Sequence, residues 1–229
     1  MEWITTRPIA HRGLHQGTAV PENSLAAFEA AIAAHHPIEL DVQLLADGNL
    51  VVFHDRDLKR LTGKKVRIAE QTLVTLKGYR LYDTDQTIPS LAEVLSCVEG
   101  RVPLLIEIKN KKKVGPLEQA LVKTLDSYRG EFAVQSFNPR SLQWFKRHAP
   151  EIMRGQLASK PQQFLRSNLL LTWASSPQFI SYNVKALPTL PTTLARRYFN
   201  LPLLAWTVRS QDERDRAIQY ADNYIFDQF

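Results

Sequence analysis

The sequence predicts an α/β protein in which strands and helices alternate along the chain. Short apolar runs of strand length recur, and segments of helical length and periodicity separate most of them. This alternation favours parallel strands joined by helical crossovers. Roughly eight such units in 229 residues indicate a TIM (β/α)8 barrel slightly below the common length. An open doubly wound sheet is the alternative, although no Gly-x-Gly-x-x-Gly motif for dinucleotide binding follows the first strand.

Each predicted element is located by its pattern of apolar residues and by the residues that flank it. Side chains that favour helix starts support three of the helices: Asn23 or Ser24, Asn138 with Pro139, and Ser210. The predicted strands cover 8–12, 38–44, 50–54, 103–109, 131–137, 151–157, 178–184, 202–208 and 223–227. The predicted helices cover 24–35, 90–98, 116–129, 139–148, 161–174, 189–199 and 210–220.

The stretch from about 55 to 88 interrupts this alternation. It follows the strand that carries His54 without a clear helix, and the regular pattern returns only at "IPSLAEVL". Connections in α/β units are usually short, so a structureless segment of this length is not expected. We therefore predict a small inserted subdomain after the second barrel strand region.

The composition favours one globular domain over residues 1–229. Hydrophobic residues make up 44% of the chain, and it has no low-complexity run, convincing repeat or Ser/Gly linker. The opening "MEWITTRPIAHRG" lacks an apolar stretch of signal-peptide length, and no segment has the roughly 18 uninterrupted apolar residues of a membrane span. Cys97 is the only cysteine, which excludes an intrachain disulfide. We expect a cytoplasmic protein.

The positive charge is concentrated in two places. The chain has 29 Lys and Arg against 23 Asp and Glu, a net charge of +6. Residues 56–67, "RDLKRLTGKKVR", contain six basic side chains and one acid, and "KNKKK" at 109–113 contains four more. These segments are either solvated loops or the source of a field that attracts an anionic substrate. Charge alone does not separate a small anion from nucleic acid.

The strand "IELDVQL" at 38–44 carries acids where a buried strand should be apolar. Because side chains alternate between faces, its apolar residues share one side while Glu39 and Asp41 share the other. Two neighbouring carboxylates repel each other, and burying them unpaired is costly. The pattern therefore predicts a cationic partner near both acids.

Polar residues recur where the predicted strands end, which is where TIM barrels carry their chemistry. Taken singly, each residue has a simpler interpretation as surface, cap or core. Together, three of the carboxylates supply the oxygen ligands that Mg²⁺ and Ca²⁺ prefer, and a divalent ion would neutralise the acids. The candidates are His11, Arg12, Glu39, Asp41, His54, Glu107, Lys109, Gln135 and Trp206.

Several motifs resemble those of the glycerophosphodiester phosphodiesterases. They occur in the family's order across nearly the whole chain: "AHRG" (10–13), "PENS" (21–24), "IELDVQLLADGNLVVFHD" (38–55), "LKRLTG" (58–63), "LLIEIK" (104–109), "QSFNP" (135–139) and "AWTV" (205–208). The resemblance implies a TIM barrel with an insertion after the His54 strand. It also implies that the metal ligands are Glu39, Asp41 and Glu107 and that the acid/base pair is His11 and His54.

Two departures from the family pattern are visible. The insertion is short, which predicts few contacts to a large headgroup or lipid. The family's usual Gly-x-Asp before the last strand is replaced in "YADNYIFDQF", and no Pro follows Asp227. We interpret the second departure as affecting only how the barrel ends.

The expected reaction is metal-dependent hydrolysis of a glycerophosphodiester to glycerol 3-phosphate and an alcohol. Arg12 and Lys109 would neutralise the phosphodiester, and the two histidines would transfer protons. Gln135 and Trp206 complete the predicted substrate contacts. The resemblance suggests attack by the neighbouring glycerol hydroxyl or by water.

Two alternative functions follow from the same residues. Lysophospholipids could be the substrates, but no long amphipathic helix with an anchoring face is evident. A barrel that binds phosphate or nucleic acid without turnover is the other alternative. We expect a small-molecule substrate, no nucleic-acid partner and no stable membrane association.

Overall fold

The described residues of the computed structural model, 2–110, 113–159 and 174–229, form one closed barrel of eight parallel strands. The strands are β1 (Ile9–His11), β2 (Ile38–Leu44), β3 (Leu50–Val52), β4 (Leu104–Ile108), β5 (Phe132–Ser136), β6 (Arg154–Ala158), β7 (Phe179–Asn183), β8 (Leu203–Val208) and β9 (Asn223–Phe226). Around the barrel the order is β1, β2, β4, β5, β6, β7, β8, β9 and back to β1. The predicted TIM barrel is confirmed. Strand β3 is an additional strand, antiparallel to β2.

Helices connect most of the barrel strands, as the alternation predicts. They are α1 (Trp3–Thr6), α2 (Leu25–Ala33), α3 (Lys59–Thr62), α4 (Leu73–Leu76), α5 (Leu91–Val98), α6 (Pro116–Leu125), α7 (Pro139–His148), α8 (Leu190–Phe199) and α9 (Gln211–Tyr220). Short 3₁₀ turns cover Ile68–Glu70 and Val184–Ala186. Among the described residues, no helix is long and apolar enough to cross a membrane.

Local capping explains where three of these helices begin. The Ser24 hydroxyl accepts a hydrogen bond from the backbone of Ala27, which selects Ser24 over Asn23 as the cap of α2. Asn138 and Ser210 cap α7 and α9 in the same manner. The predicted helix at 161–174 falls outside the described residues except at its last position.

Apolar side chains pack on both sides of the strand layer. On the outer side, Leu40 and Ile106 belong to a buried cluster with Phe28 of α2 and Leu121 of α6. Inside the barrel, a second cluster is formed by Ile9, Leu105, Ala133, Phe179, Leu204 and Ile225 together with residues of α1. Because Leu105 precedes Glu107 by two positions on β4, the polar end of the barrel lies above this apolar layer.

Residues 55–88 form the small inserted subdomain that the sequence predicts. Leu58, Leu61 and Ile68 pack with Phe53 and Leu81 in a separate buried cluster. The antiparallel β3 leads into this insertion and ends at Val52. His54 therefore lies in the loop beyond a hairpin strand, and the expectation that it ends a strand was wrong.

Candidate active site

Strand register brings the three predicted acids together at the carboxyl end of the barrel. Parallel pairing sets Asp41 of β2 opposite Glu107 of β4, and His11 of β1 opposite Glu39 of β2. The three carboxylates are 2%, 0% and 8% exposed for Glu39, Asp41 and Glu107. One oxygen from each lies within 4.8 Å of the others. The acids thus form one compact, buried group.

Two cations lie among these acids, as the strand pattern predicts. The Lys109 ammonium is 2.9 Å from Asp41 Oδ1 and 2.7 Å from Glu107 Oε1. Arg12 Nε is 3.1 Å from Asp41 Oδ2, and the Arg12 backbone N–H donates to Glu39 Oε2 at 3.3 Å. Both cations are largely buried, so their attraction to the acids is only weakly screened. The structure thus brings Arg12 and Lys109, which were predicted as substrate-binding residues, to the three acids.

A tight turn after β1 places Arg12 in this position. Arg12 and Gly13 both have left-handed backbone, with φ of 56° and 81°. A Cβ at Gly13 would lie 2.7 Å from the backbone of Ala27, so the turn packs directly against α2. Glycine is required there because it combines the positive φ with the absence of a side chain.

The carboxyl groups titrate differently because of their surroundings. Burial opposes ionisation of Asp41, but Lys109 and Arg12 outweigh it and hold its pKa well below the usual range. Burial, together with Asp41 and Glu107, raises the pKa of Glu39 well above its usual value. Burial also raises the pKa of Glu107, to about 7, although Lys109 works against that rise. The two protein cations therefore do not fully compensate three ionised acids.

The acid group has the properties of a site for a divalent cation. Its donors are all carboxylate oxygens, the ligand type that hard cations prefer. Asp41 Oδ1 is buried and has no hydrogen bond of good geometry to any residue that the structure describes, although the Lys109 ammonium lies beside it. Additional positive charge would also lower the raised pKa values of Glu39 and Glu107. Glu39, Asp41 and Glu107 can hold a metal ion.

His11 lies beside the acids and has its own carboxylate partner. Its Nδ1 is 2.6 Å from Asp227 Oδ1, while its Nε2 is 4.0 Å from Glu39 Oε2. Burial lowers the pKa of His11 even though the Asp227 carboxylate opposes that shift. His15 Nε2 also approaches Asp227 Oδ1, at 3.3 Å.

His54, in the loop beyond β3, also has a carboxylate at its Nδ1. Its Nδ1 is 2.8 Å from Asp55 Oδ1. The Gln43 side-chain amide donates to the carbonyls of Phe53 and Asp55 at 2.7 and 2.8 Å and so fixes the backbone on both sides of His54. Burial lowers the pKa of His54, and the nearby Asp41 charge works against this.

Arg60 of α3 connects the inserted subdomain to the barrel. Its guanidinium donates twice to Glu22, at 2.8 and 2.7 Å, and also donates to Asp55 at 2.7 and 3.1 Å. Glu22 in turn accepts from Arg12 at 2.6 Å. A continuous series of ion pairs therefore runs from the partner of His54 to the guanidinium beside Asp41.

Gln135 and Trp206 lie on two other strands of the barrel, β5 and β8. Gln135 pairs in register with Glu107, and its Oε1 accepts from the Ser181 hydroxyl at 2.7 Å. Trp206 lies on β8, which is opposite β4 in the order of the strands. The Trp206 ring contacts Phe137 edge to face with centroids 5.5 Å apart, and its buried indole N–H has no hydrogen-bond partner among the described residues.

Comparison with known proteins identifies the family. The sequence profile of the glycerophosphoryl diester phosphodiesterase family matches residues 11–226. The chain belongs to this family. A glycerophosphodiester phosphodiesterase from Caldanaerobacter subterraneus subsp. tengcongensis is 31% identical over 94% of this chain and 91% of its own length. The protein is accordingly an enzyme, a glycerophosphodiester phosphodiesterase.

Solved structures have the same fold. A phosphodiesterase from Oleispira antarctica, determined in complex with the product sn-glycerol-3-phosphate, superposes with a TM-score of 0.85 at 24% identity, covering 97% of this chain and 93% of that one. A glycerophosphodiester phosphodiesterase from Thermotoga maritima has a TM-score of 0.77 at 26% identity, covering 95% and 92%. The barrel of this chain is thus the fold of these two phosphodiesterases.

Several residues of this phosphodiesterase site were not singled out from the sequence. Asn23 of "PENS", interpreted as a turn and cap, donates to Asp41 Oδ2 at 2.9 Å, and Glu22 of the same motif binds Arg12. Asp227, interpreted as bearing only on how the barrel ends, contacts His11. That interpretation was wrong because β9 closes the barrel beside β1. The signal for Glu22 and Asn23 was their place within the motif "PENS", whereas Asp227 lies outside the motifs quoted for the resemblance.

Proposed function

We propose that His11 and His54 transfer protons during hydrolysis of small glycerophosphodiesters to glycerol 3-phosphate and an alcohol. The observation that carries this proposal is the arrangement of the two histidines. Each has a carboxylate at Nδ1, Asp227 for His11 and Asp55 for His54. An ionised carboxylate only accepts hydrogen bonds, so each Nδ1 carries a proton and each Nε2 is left to exchange one with the substrate.

The two histidines would perform complementary steps. One Nε2 removes a proton from the attacking oxygen, which belongs to the neighbouring glycerol hydroxyl or to water. The other protonates the alcohol oxygen as its bond to phosphorus breaks. Attack by the glycerol hydroxyl would first give a cyclic phosphate, which water then opens to glycerol 3-phosphate.

The phosphodiester charge would be balanced by the cations beside the acids. We assign Arg12 and Lys109 to the phosphate oxygens, since both lie at the acid group. Gln135 and Trp206 are assigned to the substrate's polar groups. The indole N–H of Trp206, which has no acceptor within the described part of the chain, supports this, because a buried donor is costly when it lacks an acceptor.

A divalent cation, Mg²⁺ or Ca²⁺, is assigned to Glu39, Asp41 and Glu107. When bound, it would supply positive charge that stabilises the negative charge developing on the phosphate oxygens. The three carboxylates would hold it, and the Lys109 ammonium lies 2.9 Å from Asp41 and 2.7 Å from Glu107 beside them.

The function is tested by assaying the purified protein on glycerophosphocholine, glycerophosphoglycerol and a lysophospholipid, with product measured as glycerol 3-phosphate or its acylated form. We expect turnover of the water-soluble diesters, loss of activity in EDTA and recovery with Mg²⁺ or Ca²⁺. Full activity in chelator would contradict the metal assignment. Preference for the lysophospholipid would favour the alternative substrate class. Binding without product would favour a non-catalytic barrel.

We also propose that the protein acts in the cytoplasm, without a nucleic-acid partner or stable membrane association. The single, unpaired Cys97 fits a reducing compartment. Cell fractionation, together with sedimentation of the purified protein with anionic vesicles and with DNA, tests the three statements separately.

A further inference from the structure

The two oxygens of the Asp227 carboxylate have different partners: His11 and, at 3.3 Å, His15 contact Oδ1, and Arg209 contacts Oδ2. Oδ1 lies 2.6 Å from His11 Nδ1, and Oδ2 accepts from Arg209 Nε at 2.5 Å. His11 and Asp227 are only 12% and 16% exposed. Because Arg209 binds the second oxygen, the plane of the carboxylate is oriented and its first oxygen is directed at the imidazole.

We infer that Asp227 is a positioning residue for the reaction, holding the His11 ring so that Nδ1 carries the proton and Nε2 faces the acid group. This inference rests on the proposed function, in which His11 Nε2 exchanges a proton with the substrate. A carboxylate at Nδ1 selects one tautomer and one ring orientation. The 4.0 Å separation of His11 Nε2 from Glu39 Oε2 places the free nitrogen at the reacting end of the barrel.

The chain itself offers a comparison that separates positioning from simple structural support. Strand β9 has an Arg–Asp pair at each end. Before the strand, Asp222 pairs with Arg196, with contacts of 2.5 and 3.1 Å. After the strand, Asp227 pairs with Arg209 but also contacts His11. If Asp227 served only to close the barrel, removing either aspartate's charge would have similar consequences.

The test compares Asp227→Asn with the matched control Asp222→Asn, each alone and in the His11→Ala background. We expect Asp227→Asn to lower kcat by about 10²-fold or more while KM changes little, because an amide no longer enforces the tautomer. In the His11→Ala background, Asp227→Asn should lower kcat little further, since the two residues act as one unit. Asp222→Asn should leave kcat near the wild-type value.

A second measurement reports on the ring directly and does not depend on activity. In ¹⁵N-labelled protein, the His11 Nδ1–H proton should be detected in the wild type and in Asp222→Asn, and it should shift or disappear in Asp227→Asn. The inference would be overturned if Asp227→Asn had the kcat of the wild type, or if it lowered kcat equally in the wild-type and His11→Ala backgrounds. An unchanged His11 ring resonance in Asp227→Asn would also overturn it. If His11→Ala alone retains full turnover, the proposed function fails, whereas the ring resonance still tests the positioning.

Discussion

The Lys109 ammonium lies 2.7 Å from Glu107 Oε1, within the group of acids that is also suited to a metal ion. The same ammonium is 2.9 Å from Asp41 Oδ1, so one protein cation bridges two strands. Lys109 thus supplies part of the positive charge that the buried acids require. A divalent cation and Lys109 would act on the same two carboxylates, which couples metal binding to the stability of this end of the barrel.

Replacing Lys109 with Met should destabilise the metal-free protein by about 3 to 5 kcal/mol, the usual cost of removing one partner from a buried ion pair. Adding Mg²⁺ or Ca²⁺ should restore more stability to the variant than to the wild type, because the acids then regain a cation. Urea unfolding in EDTA and in excess metal measures both effects. The control is Lys185→Met, because Lys185 is 74% exposed and lies 3.5 Å from its partner Glu213. Equal losses of stability in Lys109→Met and in the control would contradict this explanation.

Glu22 should stabilise the protein only above acidic pH. Burial opposes its ionisation, but Arg60 and Arg12 outweigh burial and lower the pKa of Glu22 below 4.5. Since the folded-state pKa is the lower one, the stabilisation is present above pH 4.5 and is lost as the pH falls through the folded-state value. Glu22→Gln should therefore cost about 2 kcal/mol near neutral pH and progressively less in acid.

The prediction is tested by measuring the free energy of unfolding of the wild type and of Glu22→Gln in EDTA, from neutral pH to below pH 4.5. The control is Glu70→Gln, because Glu70 is 64% exposed and lies 3.6 Å from Arg67. Exposed pairs of this kind contribute little. A stability difference for Glu22→Gln that stays constant down to low pH would rule out the ionised carboxylate as its source.

His11→Ala and His54→Ala should each lower kcat by about 10² to 10⁴-fold, the usual contribution of a positioned acid or base. The double variant should lose far less than the product of the two effects, because both residues act in one proton-transfer cycle. Circular dichroism verifies that each variant folds, and the exposed His148, replaced by Gln, is the control. Near wild-type turnover in a folded single variant would remove that histidine from the mechanism.

The exposed basic residues of the insertion should affect substrate capture more than chemistry. Neutralising Lys59, Lys64 and Lys65 together should lower kcat/KM mainly at low salt, since exposed charges are screened beyond about 8 to 10 Å at physiological ionic strength. Arg60 is expected to behave differently because it already binds Glu22 and Asp55. We expect the decrease of kcat/KM in Arg60→Gln to persist at high salt. The decrease in the lysine variant should instead depend on salt. A salt-independent loss for the lysines would count against steering.

The same basic segment shows what a sequence pattern leaves undetermined. Residues 56–67 were interpreted as one charged stretch, yet the structure separates Arg60, which is tied to two carboxylates, from the exposed lysines around it. Lys113 is exposed as expected, whereas Lys111 and Lys112 lie outside the described residues. Composition shows how much charge a segment carries but not which side chains have found a partner.

The sequence by itself determined the alternating strands and helices, the caps Asn138 and Ser210, and the shared face of Glu39 and Asp41. These features depend on periodicity and on hydrogen bonds between residues close in the chain, so local pattern is enough to predict them. The family motifs also marked the strand ends that carry His11, Glu107 and Lys109.

Only the tertiary structure decided which of these groups touch. Closure of the barrel brings Asp227 to His11, 216 residues apart in the chain, and strand register sets Asp41 beside Glu107. The insertion folds back so that Arg60 reaches Glu22, 38 residues before it. Such pairs do not appear as a repeating pattern in the sequence, because they depend on strand register and barrel closure. Both are set by packing of the whole barrel.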